Sequence, residues 1–151
     1  MSIKSAIATG LTLGTLSIVV GAVPAMAATS GCGNVCDGKN PDTYVATVDG
    51  TSKKCATDAV TLATKGQVEL RYSAFCRTAW ARDVDPGTWS YITIESYSGS
   101  TLRKRYKASA AWTPMVNDKN LVARGCHYSY DGEDEAAAGG TGHLDGCTTK
   151  H

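Results

Sequence analysis

Hydrophobic and polar residues alternate with a period of two most clearly at residues 67–73. There Val68, Leu70 and Tyr72 are separated by polar side chains, a pattern typical of a β-strand with one buried face. Further runs contain β-branched and aromatic residues, most densely at residues 88–97, and these residue types favour strands. The predicted strands cover residues 43–48, 59–64, 67–73, 88–97, 101–107 and 121–130.

Helical periodicity is weak along the whole chain. Residues 133–138 contain helix formers, but Gly139-Gly140 ends any helix there after about one turn. Residues 28–43 and 131–151 are rich in glycine and polar residues and are predicted as loops. The expected fold class is therefore all-β, a small disulfide-stapled antiparallel β-barrel or sandwich with a loop-like N-terminal segment and a Gly-rich C-terminal tail.

A hairpin is predicted where residues 98–101 turn between two of these strands. With a two-residue turn Glu95 faces Lys104 across the hairpin, and with a three-residue turn it faces Arg103. In both registers a carboxylate meets a cation, a pair worth about 0.2–1 kcal/mol.

The N-terminal 27 residues have the pattern of a secretory signal peptide. Lys4 precedes an uncharged apolar run over residues 6–23, and Ala25-Met26-Ala27 has the small-x-small form of a cleavage site. The alternative is a retained membrane anchor, but glycine and threonine dilute the run and Pro24 breaks it. We expect cleavage after Ala27, secretion, an extracellular location and one β-rich domain over residues 28–151, with no membrane span after cleavage.

Six cysteines follow the predicted leader. An even number outside the cytoplasm predicts three disulfides, whereas zinc would favour paired Cys-x2-Cys knuckles, which this spacing lacks. We predict Cys126–Cys147, which would staple the tail, and Cys55–Cys76, which lie opposite each other if Lys65-Gly66 is a hairpin turn. Cys32–Cys36 then remains by elimination. In that hairpin register Val60 and Leu62 face away from the apolar residues of the next strand, so a slip or bulge is the alternative.

Charge excludes some classes of partner. The chain has 15 basic and 14 acidic residues, and loss of Lys4 with the leader leaves 14 of each. No large field of one sign is therefore present to recruit nucleic acid.

One local cluster departs from this balance at residues 103–107. Arg103, Arg105 and Lys107 share one face of the predicted strand, and Tyr97 or Tyr106 lies nearby. Clustered cations beside aromatic rings favour an anionic partner, here an anionic cell-wall polymer or an extracellular protein. The alternative is an edge strand that charge protects from aggregation. Trp80-Ala81-Arg82 is a rival site, although its tryptophan is expected in the core.

Candidate catalytic and metal-binding sets have little support. Ser73, His127 and Asp145 contain the residue types of a hydrolase triad, but no nucleophile-elbow motif surrounds the serine. The acidic run at residues 131–135 lacks the ligand spacing of an EF-hand loop, and the tail histidines make only a weak metal set. We therefore expect no catalytic residues, no metal site and no cofactor.

Three motifs carry a family resemblance: residues 36–41 (CDGKNP), 55–61 (CATDAVT) and 68–82 (VELRYSAFCRTAWAR). Over residues 32–82 the chain resembles an uncharacterised secreted actinobacterial family, domain of unknown function 2690, also described as YjfA-like. The resemblance implies export, disulfides and a β-rich domain, and it supplies no activity. The chain departs from the family in having Asn40 where Asp is expected and a longer insert before Cys55, and Cys126 and Cys147 lie outside the resembling region.

Together these observations predict a secreted, non-enzymatic binding or inhibitor-like module that acts at the cell surface or in the extracellular medium. A small secreted hydrolase is the alternative function.

Overall fold

A computed structural model describes residues 29–151, so the predicted signal peptide lies outside the described residues. The strands are β1 (Val45–Val48), β2 (Thr51–Lys54), β3 (Val60–Lys65), β4 (Val68–Ser73), β5 (Thr78–Asp83), β6 (Ser90–Ser98), β7 (Thr101–Ala108), β8 (Val116–Asn117), β9 (Val122–Ser129) and β10 (His143–Cys147). One short helix, α1 (Glu133–Ala137), and two 3-10 turns, Gly33–Val35 and Cys55–Asp58, complete the elements. None of the described helices is long and apolar enough to cross a membrane.

Two separate four-stranded antiparallel sheets form the body of the protein. Sheet 1 has the spatial order β10–β9–β6–β7, and sheet 2 has the order β3–β4–β5–β8. β4 and β5 of sheet 2 pack against β6 and β9 of sheet 1. The all-β prediction is therefore confirmed, and of its two architectures the structure has the sandwich.

The main core lies between the two sheets. Side chains from both inner faces are completely buried there, including Leu70 of β4 and Ile92 and Ile94 of β6. Gly125 of β9 allows the close approach, because a Cβ atom there would lie 3.0 Å from Val68 Cγ2 and 3.2 Å from Ala81 Cβ. The alternate residues of β6 point away from this core, to the outer face of sheet 1.

A second core lies on the outer face of sheet 2. The β1–β2 hairpin and the N-terminal loop cover Trp80, Phe75 and Met115 there. Asp49-Gly50 makes the two-residue hairpin turn, with φ of 50° and 79°, as a type I′ turn requires. Because sheet 2 is covered on both faces, four of the six residues of β5 are buried in succession.

The structure contains the three expected disulfides: Cys32–Cys36, Cys55–Cys76 and Cys126–Cys147. Cys126 and Cys147 are direct partners across β9 and β10. The tail predicted as a loop is therefore partly a strand, and its backbone continues to pair with sheet 1 as far as His151 with Ala123.

The hairpin register that we used for Cys55–Cys76 is wrong. The structure pairs Lys65 with Val68, so Gly66 and Gln67 form the turn, and a register shift at Leu62 follows. Cys55 lies outside β3, in the 3-10 turn Cys55–Asp58. Asp58 holds that turn against the end of β4, accepting hydrogen bonds from Ser73 Oγ (2.7 Å) and from the backbone N–H of Phe75 (2.9 Å).

The predicted partner of Glu95 is also wrong. Ser98 pairs with Thr101, which gives the expected two-residue turn, but a bulge between Ser96 and Tyr97 adds one residue on the β7 side. Glu95 consequently faces Arg105 instead of Lys104 or Arg103. The inserted residue is Arg103, since Leu102 pairs with Tyr97 and Lys104 with Ser96.

Candidate anion-binding surfaces

Cations cluster on the outer face of sheet 1. β6 presents Glu95 and Tyr97 to this face, because the residues that alternate with them face the core. β7 and β9 flank β6 and supply one arginine each at the level of Glu95. We refer to the four cations of this surface as the basic face: Arg105, Lys107, Arg124 and Lys150.

Glu95 anchors the two arginines. Its side chain is 0% exposed, and its carboxylate accepts hydrogen bonds from Arg105 Nε and Arg124 Nε, both at 2.7 Å. Arg105 Nη2 and the Tyr97 hydroxyl also donate to it. Burial alone would raise the pKa of Glu95, but the hydrogen bonds from Tyr97, Arg124 and Arg105 outweigh it and lower that pKa. Glu95 is thus a fixed counterion that orients both guanidinium groups.

Tyrosine rings position the two lysines. Lys107 Nζ lies 3.7 Å from the ring centroid of Tyr91 and donates a 2.6 Å hydrogen bond to Tyr130 Oη. Lys150 Nζ lies 3.5 Å from the ring centroid of Tyr97. Burial raises the pKa of Tyr91 and of Tyr97, so both rings stay neutral. Each lysine therefore has its ammonium group beside a tyrosine ring at the surface.

Of the five residues predicted as a binding site, the structure brings three together on the basic face: Tyr97, Arg105 and Lys107. Tyr106 points to the opposite side of β7, where its hydroxyl donates a 3.1 Å hydrogen bond to Asp37 Oδ1. Arg103 lines a cleft on that opposite side, because the bulge breaks the alternation on which the prediction relied.

Sequence reasoning missed two members of the basic face. Arg124 was visible in a predicted strand, but only the pairing of β9 with β6 places it beside Glu95. Lys150 belongs to the tail that we predicted as a loop. A strand signal was absent there, and the Cys126–Cys147 disulfide was the one feature that tied the tail to sheet 1.

β7 is an edge strand of sheet 1. The alternative interpretation of its charges, protection against edge-to-edge pairing, therefore fits its position. Edge protection requires charges on β7 alone. The basic face also has cations on β9 and in the tail, which edge protection does not explain.

The hypothetical Ser73–His127–Asp145 triad does not assemble. His127 Nδ1 lies 2.7 Å from Asp145 Oδ2. Ser73, however, lies at the end of β4 in sheet 2, where its hydroxyl donates a hydrogen bond to Asp58. The other ring nitrogen of His127 has no hydrogen-bond partner within residues 29–151 and lies 3.5 Å from the buried carboxylate of Asp83. A carboxylate therefore occupies the position that a nucleophilic hydroxyl would need.

Apart from the disulfide cysteines, the described residues contain one cluster of potential metal ligands. Oxygen and nitrogen atoms of Asp131, Glu135 and His143 lie within 4.8 Å of one another. The hydrogen bond to Asp131 raises the pKa of His143, which favours its protonated form. Glu135 meanwhile accepts backbone hydrogen bonds from Asp131 (2.8 Å) and Gly142 (3.1 Å). Internal hydrogen bonds thus account for this cluster, and we assign no metal to it.

Comparison with known proteins gives one match. Residues 34–126 match a family described as protein of unknown function (DUF2690). The match extends beyond the region of the resemblance and includes three members of the basic face, although Lys150 lies outside it. No curated protein and no solved structure matches the chain.

Proposed function

This chain belongs to the DUF2690 family of proteins of unknown function, and from that premise we propose that it is a secreted, non-enzymatic binding module. Its basic face would hold an anionic cell-wall polymer. The narrower assignment, to a secreted actinobacterial and YjfA-like branch of the family, is part of the same proposal. Three disulfides among the described residues support export, because such bonds persist in oxidising compartments.

The observation that carries this function is the charge of the basic face. The surface carries four cations, and the carboxylate that its two arginines share, Glu95, is fully buried. Glu135 is the acidic neighbour, close enough for its charge to act on Tyr91. The four cations and Glu95 leave a local surplus of three positive charges, in a chain that has 15 basic and 14 acidic residues overall. Such a local surplus attracts polyanions over the screening length of about 8–10 Å at physiological salt.

The arrangement of the cations favours an extended polymer over a compact ligand. Lys107 stands at the level of Tyr91, the two arginines at Glu95 and Lys150 at Tyr97. Six residues of a strand separate the two ends of this row, which corresponds to about 20 Å. A chain with regularly spaced negative charges could contact all four cations along the flat face.

The test removes the two lysines and leaves the arginine–Glu95 cluster intact. We expect Lys107→Gln with Lys150→Gln to weaken binding to poly(glycerol phosphate) roughly tenfold at low salt, since two direct charge contacts are lost. The matched control is Lys54→Gln with Lys65→Gln, which removes the same charge from exposed positions on β2 and β3. Melting curves establish that each variant is folded.

Equal affinities of the two double variants would contradict the proposal. So would an absence of polymer binding by the parent protein, which would leave β7 as a charge-protected edge strand. The alternative function, a small secreted hydrolase, is tested by assaying the purified protein against peptide, ester and glycoside substrates. Turnover that His127→Ala abolishes would replace the proposed function.

A further inference from the structure

A cleft lies on the opposite side of β7 from the basic face. Its volume is about 670 Å³, within the range of small-molecule sites. The N-terminal loop, the β6–β7 hairpin and the connection between β8 and β9 form its walls. We call this the Arg103 cleft and define it by Asn34, Ser98, Arg103, Lys104, Asn117 and Lys119, beside which the carboxylate of Asp37 also lines it. We propose that it binds a phosphate group carried on a small, hydroxyl-rich molecule, a site separate from the proposed polymer surface.

Hydrogen bonds hold the walls of the cleft in place. Ser96 Oγ donates to the backbone carbonyl of Asn117 (3.2 Å), which links β6 to β8. Asn117 Nδ2 donates to Asn34 Oδ1 (3.2 Å), and Asn117 Oδ1 accepts from the backbone N–H of Lys119 (3.1 Å). Asn117 thus joins three segments that are distant in sequence. A preformed site of this kind loses less conformational entropy when it binds a ligand.

The β6–β7 bulge supplies the guanidinium group. Because Arg103 is the inserted residue, it and its neighbour Lys104 both reach the cleft. Consecutive residues of a regular strand would point to opposite faces of the sheet. The same irregularity that removes Arg103 from the basic face therefore adds a second cation to the cleft.

Two cations of the cleft have no ion-pair partner among residues 29–151. Lys104 lies 4.0 Å from Asp37. Arg103 makes no ion pair in that range, and Lys119 Nζ donates to an uncharged acceptor, the backbone carbonyl of Ser30 (3.1 Å). Hydrogen bonds from the Ser30 hydroxyl (2.6 Å) and the Ser30 backbone N–H (3.0 Å) lower the pKa of Asp49, and the nearby charge of Lys119 lowers it further. A concave surface lined by three cations and one carboxylate, Asp37, keeps a positive surplus that is suited to an anion.

The donor set favours phosphate, and the lining favours a polar carrier. A forked guanidinium and ammonium groups are the usual protein partners of phosphate oxygens. The Ser98 hydroxyl and the Asn34 side-chain NH2 group offer hydrogen bonds to the rest of the ligand, while Leu121 is the apolar member of the lining. A phosphorylated sugar fits this chemistry whether it is free or forms the end of a polymer.

The experiment titrates the parent protein with glucose 1-phosphate, glucuronate and glucose and follows the backbone amide resonances of residues 98, 117 and 119. We expect saturable shifts with glucose 1-phosphate and none with glucose. Arg103→Gln with Lys119→Gln should weaken this binding at least tenfold. The matched control is Lys107→Gln with Lys150→Gln, which should leave it unchanged. For poly(glycerol phosphate) on the basic face, Lys107→Gln with Lys150→Gln should weaken binding and Arg103→Gln with Lys119→Gln should leave it unchanged. The two proposals can therefore fail separately.

Three results would overturn the inference. The first is no shift at these amides up to about 10 mM glucose 1-phosphate, a concentration at which even a millimolar site fills. The second is an equal loss of binding in both double variants. The third is glucuronate binding as tightly as glucose 1-phosphate, which would show that the cleft recognises negative charge without distinguishing phosphate from carboxylate. Competition by poly(glycerol phosphate) in the control variant would identify the polymer end as the source of the phosphate.

Discussion

The two sheets carry the same charged pattern on their outer faces but use it differently. Each presents one glutamate between two arginines, and the groups are Glu95 with Arg105 and Arg124 in sheet 1 and Glu69 with Arg71 and Arg82 in sheet 2. The side chain of Glu95 is fully buried, whereas that of Glu69 is 19% exposed. The nitrogen–oxygen distances around Glu69 are 3.3 and 3.5 Å, longer than the 2.7 Å hydrogen bonds of Glu95.

The difference comes from what covers each glutamate. Tyr97 donates its hydroxyl to Glu95 and carries Lys150 on its ring, so the carboxylate is removed from water. Sheet 2 supports the β1–β2 hairpin on its outer face through Trp80, and Glu69 on that face stays 19% exposed. An arginine–glutamate pattern therefore does not by itself distinguish a structural clamp from a surface ion pair. Burial and the added cations set the basic face apart.

The largest effect that we expect is on stability, from removing the charge of each glutamate in turn. Glu95→Gln should lower the free energy of unfolding by about 2–3 kcal/mol, because it leaves two arginines without their counterion. This is below the usual cost of breaking a buried pair, since Arg105 is 52% exposed and can be resolvated. Glu69→Gln should cost less than about 1 kcal/mol. Urea denaturation measures both changes in the free energy of unfolding, provided that each variant has the same m-value as the parent.

The pH dependence provides the control for this pair. The pKa of Glu95 is lower in the folded protein than its ordinary value of 4.5. Its contribution to stability is therefore present above about pH 4.5 and is lost as the pH falls through the lowered pKa. The difference between the parent and Glu95→Gln should vanish in acid. A difference that persists there would show that shape, and not charge, is what Glu95 provides.

Local patterns predicted the strands that have alternating polarity or many β-branched and aromatic residues. Residues 88–97 and 101–107 correspond to Ser90–Ser98 and Thr101–Ala108. β5 was missed because burial on both faces removes the alternation, and Ala79 and Ala81 lack the strand propensity that identified β6. β10 was missed because Gly146 and the neighbouring polar residues have low strand propensity, and pairing with β9 overrides it.

The candidate site could be predicted only in part, for a related reason. Arg105, Lys107 and Tyr97 are close in sequence, so a hairpin brings them together. Arg124 and Lys150 join them through long-range pairing of β9 and of the tail with β6 and β9. Arg103 was misplaced because a single inserted residue reverses the direction of a side chain, and nothing in the residue types around Ser96 signals the bulge.

A third carboxylate, Asp118, is buried with only partial compensation, from the charge of Arg77. Its Oδ1 atom is buried without a hydrogen-bond partner among the described residues. Burial raises the pKa of Asp118 to about 7, and the charge of Arg77 offsets only part of this effect. Asp118→Asn should therefore stabilise the protein at pH 8 by about 2 kcal/mol, opposite in sign to the effect of Glu95→Gln.

The sign follows from comparing the folded and unfolded chains. Between pH 3.8, the ordinary pKa of an aspartate, and about 7, the unfolded chain releases the proton of Asp118 while the folded chain keeps it. The parent therefore loses stability from this group as the pH rises through that window. Asp118→Asn and the parent should have equal stability near pH 4 and diverge towards pH 8. Equal stability at both pH values would mean that Asp118 titrates normally.

The smallest effect concerns the hydroxyl that covers Glu95. Tyr97→Phe removes one hydrogen bond to the carboxylate and keeps the ring on which Lys150 rests, so we expect a loss of about 1 kcal/mol and unchanged affinity for poly(glycerol phosphate). Tyr106→Phe is the matched control, because it deletes the same atom from the other side of β7, where the hydroxyl bonds to the partly exposed Asp37. That change should cost less.

If Tyr97→Phe weakened polymer binding as much as the double lysine change does, the hydroxyl would contact the ligand itself, and the basic face would extend beyond its four cations. If the two tyrosine variants were equally stable, burial of Glu95 would not depend on Tyr97, and the contrast between the sheets would rest on the arginines alone.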